Sequence, residues 1–482
     1  MTIETVHYQI SPEIPEDQIG NLYEFIYKEL LLANKDRFVH IERATAADKL
    51  SLAYWVIGAE GNAELSVEIT GGKKVTVSII PLAEGVSQDE IQKAREDVVV
   101  AVDAFEEQVR KNSLFFAWRQ GESVVPEHVS GKGERSSRTL FETQILMTMI
   151  LMAVQLVLFY FVGVYFGIIV LAIQAVFMFY SNKIVAKIAD WQLTQKNPFV
   201  HILEYSLSSE GKEAVDKLPR KQLSNLKKEV YDEAIAGHGE VDRQKCKEIF
   251  SKYGIECKVE DFTGHKVNAY ELVEETAEKF GFPMPEVVVS NTLAPNAAAS
   301  GPSPSRGVVT MTSGLFVQLD DDEIKSVLGH EFGHLKGHDP LILFGLSSAE
   351  FLFRFYVLFP LVPLIFINPI LFLLYLGAVM GVIYTVAKFL EERADLVSAM
   401  VIGQPNVLAD ALEKIGYQRL LLERKSSFRV QEWLSTDSHP PIYFRIQRLR
   451  NLKTPFATPH PLLDSARACM AGFRQSVSVI EN

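Results

Sequence analysis

The sequence predicts a multi-pass α-helical membrane protein with an extra α+β domain at its N-terminus and a mostly α domain at its C-terminus. Two apolar runs and the texture between them carry that expectation. From Glu142 to Lys183 no residue is charged, a run of about forty where one membrane helix needs only about 20. A second stretch, roughly thirty uncharged residues between Arg354 and Lys388, interrupts the C-terminal half. The rest is charged, with strand-like alternation early and helical spacing later.

At 482 residues and 48% hydrophobic content the chain has room for several domains. A net charge of −12 argues against a nucleic-acid partner, which calls for a basic excess. Cys246, Cys257 and Cys469 are too few and too scattered for a disulfide framework or a thiolate metal site, so the expected surroundings are reducing. Met1-Thr2-Ile3-Glu4 lacks the basic start and apolar core of a cleavable signal peptide, and none is expected.

Residues 1–120 read as the soluble α+β domain. Pro15 to Leu32 and Gln88 to Lys111 have helical spacing, and Leu50 to Ile57, Ala63 to Ile69 and Lys74 to Ile80 read as strands turning at Gly71-Gly72. Helices at both ends of a strand run imply an antiparallel sheet with helices on one face. His7 and His40 are read as structural or surface residues. Residues 121–138 form a linker, rich in Gly, Ser, Lys and Arg. The apolar run that follows is too long for one span, so 139–183 is expected to be a hairpin of two helices turning near Gly163 to Gly167. Lys132, Arg135 and Arg138 precede it and Lys183 and Lys187 follow, which places both flanks in the cytosol. Residues 184–262 read as a helical connector. The domain at 263–482 is interrupted by a second hairpin at about 343–388, turning at Asn368-Pro369. Tyr270 to Phe280 reads as a helix, Glu286 to Ser290 and Gly307 to Thr312 as strands. Glu350 and Arg354, four apart, are expected to pair near the membrane boundary.

The chemistry concentrates at His330-Glu331-Phe332-Gly333-His334. Two histidines four apart on a helix share a face, so both imidazoles can reach one Zn²⁺, and the intervening glutamate is placed to act on a water there. Asp320, with Glu323 three residues on, is a capping-box start for that helix. A third protein ligand is needed. His338 lies about 12 Å from His330 along an unbroken helix, so it serves only if the helix ends. Pro340 stands where the metzincin pattern requires a histidine, excluding that class. A carboxylate in Glu391-Glu392-Arg393-Ala394-Asp395 remains, and Glu391 and Glu392 point about 100° apart on a helix, so only one faces the metal.

This arrangement resembles the HtpX-type membrane zinc metalloproteases, gluzincins related to the CAAX prenyl endopeptidases. The resemblance covers about Lys266 to Leu452 and the first hairpin. It implies a zincin-type metallopeptidase domain with a short edge sheet, with Glu391 as third ligand beside His330 and His334, Glu331 as general base and Asp395 bracing the first histidine. Asn296 in Asn296-Ala297-Ala298-Ala299 resembles the family's edge-strand segment that pairs with extended substrate. Ser438-His439-Pro440-Pro441 and Arg445 match a further motif, and the resemblance implies that His439 and Arg445 hold the substrate carbonyl and the developing oxyanion. Both ligand segments flank the second hairpin, so they emerge on one membrane face, expected to be cytosolic. The implied activity is cleavage of protein or peptide substrates, chiefly damaged membrane proteins, next to the lipid bilayer and with one zinc per chain. Rival expectations are a prenyl-protein processing endopeptidase and a zinc-stabilised scaffold or sensor.

Overall fold

The computed structural model describes residues 5–119 and 158–481, apart from short stretches at 11, 13, 15–17, 47–48, 59–60, 72–73, 84–85, 112, 208, 236–240, 365–367, 424–425 and 454–455. The chain divides into two compact units, Met1–Leu114 with Tyr205–Glu213, and Phe115–Glu204 with Ala214–Asn482.

The first unit is built on a five-stranded antiparallel sheet in the order Val6–Ile10, Val75–Pro81, Ala63–Gly71, Lys49–Ile57, Phe38–Ala46. Period-2 alternation puts Leu52, Tyr54, Val67, Ile69, Val77 and Ile79 on one face. These pack in one core with Leu22, Ile26, Leu31, Val98 and Val102 from the helical stretches Ile19–Leu31 and Gln88–Lys111. The three expected strands and the second helix occur where read. Two outer strands were not legible: Val6–Ile10 is short, and Phe38–Ala46 breaks its alternation at a bulge between Val39 and Glu42, where His40 takes φ 49° beside the Trp55 ring. The expected turn at Gly71-Gly72 falls partly outside the described residues.

A three-stranded sheet (Ser113–Trp118, Val200–Ser206, Phe262–Val267) lies mostly in the second unit, which also holds a four-stranded one in the order Ala297–Ser300, Val308–Thr312, Glu286–Ser290, Trp191–Leu193. Residues 184–262 are therefore more than a helical connector. They hold helices such as Arg220–Glu229 and Arg243–Lys252, but Trp191–Leu193 and Val200–Ser206 are strands. Trp191–Leu193 is too short for a periodicity to show, and the partner strands of both are distant in sequence.

Among the described residues three helical segments are long and apolar enough to cross a membrane: Leu158–Phe179, Asp339–Leu361 and Pro369–Val401. Four spans were expected; residues 139–157, most of the first span of the first hairpin, lie outside the described residues. The hairpin turn expected near Gly163 to Gly167 falls inside the single candidate span Leu158–Phe179, where a 3₁₀ turn opening at Gly163, with φ 54°, interrupts the α-helix. The Tyr356 hydroxyl donates to the Val164 carbonyl at 2.6 Å, and a Cβ on Gly167 would meet the same tyrosine ring, so these two segments touch closely. Asn368 caps the last segment, its side chain accepting from the Ile370 and Leu371 amides. Glu350 accepts from Arg354 and from the Tyr375 hydroxyl at 2.6 Å, tying the second segment to the third.

Candidate metal centre

The helix Asp321–Gly337 starts at the expected capping box: Asp320 accepts from the Glu323 amide at 2.8 Å, and Glu323 accepts from the Asp320 amide at 3.0 Å. It ends at His338, which takes the left-handed φ of 55° and serves as the hinge into the helix Asp339–Phe353. The helix thus ends where His338 could have come into play, but the cap conformation sends the chain away and His338 joins no metal-type cluster among the described residues.

His330 and His334 face Glu391 from the long helix Pro369–Val401. One donor atom from each lies within 4.8 Å of the others. The Nε2 atoms of the histidines are 3.2 Å apart, His330 Nε2 is 3.4 Å from Glu391 Oε2, and His334 Nε2 is 3.5 Å from Glu391 Oε1. Glu392 turns elsewhere: it is buried and meets Arg448 Nε at 2.8 Å. The spacing left Glu391 and Glu392 open, and the helix phase brings Glu391 to the histidines.

Each imidazole is held from behind. His330 Nδ1 lies 2.8 Å from Asp395 Oδ1, and His334 Nδ1 lies 2.8 Å from Asp339 Oδ2. A neutral ring that donates from Nδ1 to a carboxylate must present an unprotonated Nε2. Two such Nε2 lone pairs and a carboxylate then converge on one point, a repulsive set unless a cation takes it up. Glu391 Oε2 is buried and accepts no hydrogen bond. A tetrahedral ion with bonds of about 2.0–2.1 Å sets ligand separations of roughly 3.3–3.4 Å, which the three observed values bracket. The donor set therefore fits zinc. In the metal-free protein a proton takes the cation's place: burial alone would lower His330, but Asp395 and Glu391 raise it to about 10.

Two glycines permit this approach. A Cβ on Gly333 would lie 3.0 Å from both Cα and O of Ala394, and one on Gly329 would lie 2.6 Å from Ile402 Cγ1. The two helices meet almost backbone to backbone, one residue from Asp395.

The remaining expected residues fall around this centre in different ways. Glu331 is half-buried, and its Oε2 accepts from the Ala299 amide at 3.0 Å. Ala299 belongs to the strand Ala297–Ser300, which is an edge of its sheet. Asn296 precedes that strand with its side chain exposed, and its amide donates to Thr312 Oγ1. His439 points Nε2 at Glu391 Oε2 from 3.4 Å. Arg445 does not join the open groups: it is 5% exposed, with Nε and Nη2 each 2.8 Å from the two oxygens of Asp395. The helix Ile442–Arg450 turns that position inward, so the expected contact of Arg445 with a substrate carbonyl finds no opening here.

Sequence reasoning missed Asp339 and Arg393. Arg393 Nη2 donates to Asp339 Oδ2 at 2.7 Å and to the Gly333 carbonyl at 2.9 Å, so it joins both helices behind His334. An aspartate five residues beyond the second histidine was the available signal. It could not be used without knowing that His338 reverses the chain.

A model of peptidase family M48 matches residues 267–453. Curated relatives include the protease HtpX homologue of Tropheryma whipplei (strain Twist), 34% identical over 212 residues, 39% of this chain and 73% of the relative. The homologue of Pyrococcus furiosus is 31% identical over 216 residues, 38% of this chain and 72% of the relative. That of Methanopyrus kandleri is 32% identical over 212 residues, 38% of this chain and 65% of the relative. Among solved structures, the crystal structure of S. mikatae Ste24p aligns with a TM-score of 0.29 at 20% identity, covering 37% of this chain and 48% of that one.

Proposed function

The chain belongs to the HtpX homologues of peptidase family M48 and is a membrane metalloprotease, and from that premise we propose that it is a zinc-dependent endopeptidase whose centre is His330, His334 and Glu391. One observation carries the metal assignment: both histidines spend Nδ1 on carboxylates, so that their Nε2 atoms and an unsatisfied carboxylate oxygen converge. A zinc ion held there supplies Lewis acidity, acidifying water toward a pKa of about 7 and drawing charge from the scissile carbonyl.

The chain's own residues do the rest. Glu331 takes the proton from the water whose oxygen attacks the carbonyl carbon, and returns it to the amine as the C–N bond breaks. The Ala299 amide, 3.0 Å from its Oε2, holds that carboxylate in place. The outer edge of Ala297–Ser300 offers backbone pairing to an extended substrate, with Asn296 at its entrance; pairing of this kind reads little side-chain identity. His439 Nε2 faces the centre and donates to the developing oxyanion when both ring nitrogens carry protons, Nδ1 then being matched to Asp437. Asp395 orients His330, and Arg445 holds Asp395 rather than substrate. Low sequence selectivity beside a bilayer suits removal of damaged membrane proteins. The basic flanks of the first apolar run support a cytosolic centre and N-terminal domain.

Glu331→Gln tests the assignment. The variant retains one zinc per chain and loses cleavage of an unfolded casein-type substrate in detergent. Cleavage at the parent rate would sink the assignment of Glu331.

A further inference from the structure

His439 sits in the loop between the helices Ser426–Leu434 and Ile442–Arg450, and a loop holds an imidazole in place only if it is itself tied down. Its anchors come from elsewhere. Lys388 is 3% exposed and lies three residues before Glu391 on the same helix. Its Nζ donates to the Ser435 carbonyl at 3.2 Å and to the Asp437 carbonyl at 2.5 Å. Asp437 continues the chain of contacts: Oδ1 accepts from the His439 amide at 2.8 Å and lies 2.9 Å from His439 Nδ1. Its other oxygen, Oδ2, accepts from Arg419 Nη1 at 2.8 Å. Arg419 is fixed in turn by Glu432.

Burying an ammonium group is costly, and Lys388 commits its hydrogen bonds to two backbone carbonyls of one loop. Lys388 and Glu391 share a rigid helix, about 4.5 Å apart along its axis. Wherever the helix places Glu391, it places the His439 loop in the same register. We propose that Lys388 is a positioning residue, which locks the Ser435–Asp437 loop to the helix bearing Glu391 and so fixes His439 Nε2 over the reaction centre, with Arg419 setting the ring's rotation through Asp437. The proposal rests on the metallopeptidase reading, since it assigns Lys388 a role only through His439.

The test is a double-mutant cycle on the full chain in detergent, with Lys388→Met, His439→Ala and the pair, read as zinc content, kcat and KM on a quenched peptide. Lys388→Met is expected to keep its zinc and to lose about 100-fold in kcat, the scale of a 1 Å misplacement, with KM changed less than about threefold. Added to His439→Ala, it costs less than about threefold more, because the group it positions is already gone. A kcat within threefold of the parent, or losses that multiply in the pair, overturns the proposal. If Lys388→Met fails to fold or hold zinc, Asp437→Ala, whose side chain is 35% exposed, enters the same cycle, and multiplying losses there overturn it. A parent chain with neither zinc nor cleavage overturns the metallopeptidase reading itself, and Lys388's role with it.

Discussion

Gly333→Ala adds one methyl group at the seam between the two helices that carry the centre. Its Cβ would stand 3.0 Å from the Cα and O of Ala394 and 3.2 Å from its Cβ. Carbon contacts settle near 3.5–4.0 Å, so the helices must part by roughly half an ångström. Neither neighbour is the end of a flexible side chain, and the strain cannot be absorbed locally. Overpacking costs about 1–3 kcal/mol, and the helix preference of alanine over glycine returns up to about 1 kcal/mol. Global stability thus falls by between about 0 and about 3 kcal/mol. The metal centre suffers more, because ligand distances are tolerated to about 0.2 Å. The Glu391 separations of 3.4 and 3.5 Å from the histidines would widen. We expect zinc affinity to drop about 10- to 100-fold, comparable to losing a supporting hydrogen bond, and cleavage to fall with it. Competition against a graded chelator series, with melting followed in parallel, measures both effects. Gly377→Ala, where a Cβ meets nothing within 4 Å, is the control. Zinc affinity and cleavage of Gly333→Ala within twofold of the parent would refute the close-seam argument.

Other perturbations read different parts of the centre. Glu391→Gln should lose zinc, whereas Glu392→Gln should keep it, since Glu392 faces Arg448; equal zinc loss in both would contradict the helix phase. Asp395→Ala leaves Arg445 buried and unpaired and should cost about 3–5 kcal/mol, seen as a lowered Tm. Unchanged melting would mean that the pair is not buried as described. Asp339→Asn should weaken zinc binding about 10-fold or more without altering the fold, because His334 loses the carboxylate that fixes its ring; stoichiometric zinc at parent affinity counts against this. The pH dependence follows from His330. Burial lowers it, but Asp395 and Glu391 raise it to about 10, so at neutral pH zinc must displace its proton. Apparent zinc affinity should therefore rise with pH and fall in acid. Calorimetric heats that do not vary with the ionisation enthalpy of the buffer would show that no proton is released.

Local signals made much of this centre readable. Asp320 and Glu323 announced the motif helix, the β-branched run gave Glu286–Ser290, and the four-residue spacing put both histidines on one side. Glu391 was reachable only by resemblance, because 56 residues and an apolar hairpin separate it from His334 in sequence. What escaped depends on long-range closeness. Gly333 is an unremarkable helical residue until Ala394 lies against it, and Asp339 reaches His334 only because His338 reverses the chain. Lys388 and Asp437 meet across 49 residues. The motif around Arg445 carries no information about which way its helix faces, and the helix turns Arg445 toward Asp395.

Glu391 is borne by a helix that runs unbroken from Pro369 to Val401. From Pro369 to Glu391 the rise is about 33 Å, close to the roughly 30 Å of a hydrocarbon core. Such a rod behaves as a depth gauge. A carboxylate riding on it is carried at a set height above the lipid, so in the proposed cleavage of membrane proteins the bond cut would be selected by its distance from the bilayer rather than by the residues around it. Lengthening the stretch between a substrate's last membrane residue and its folded part would then slide the cut along the chain while its height stayed constant.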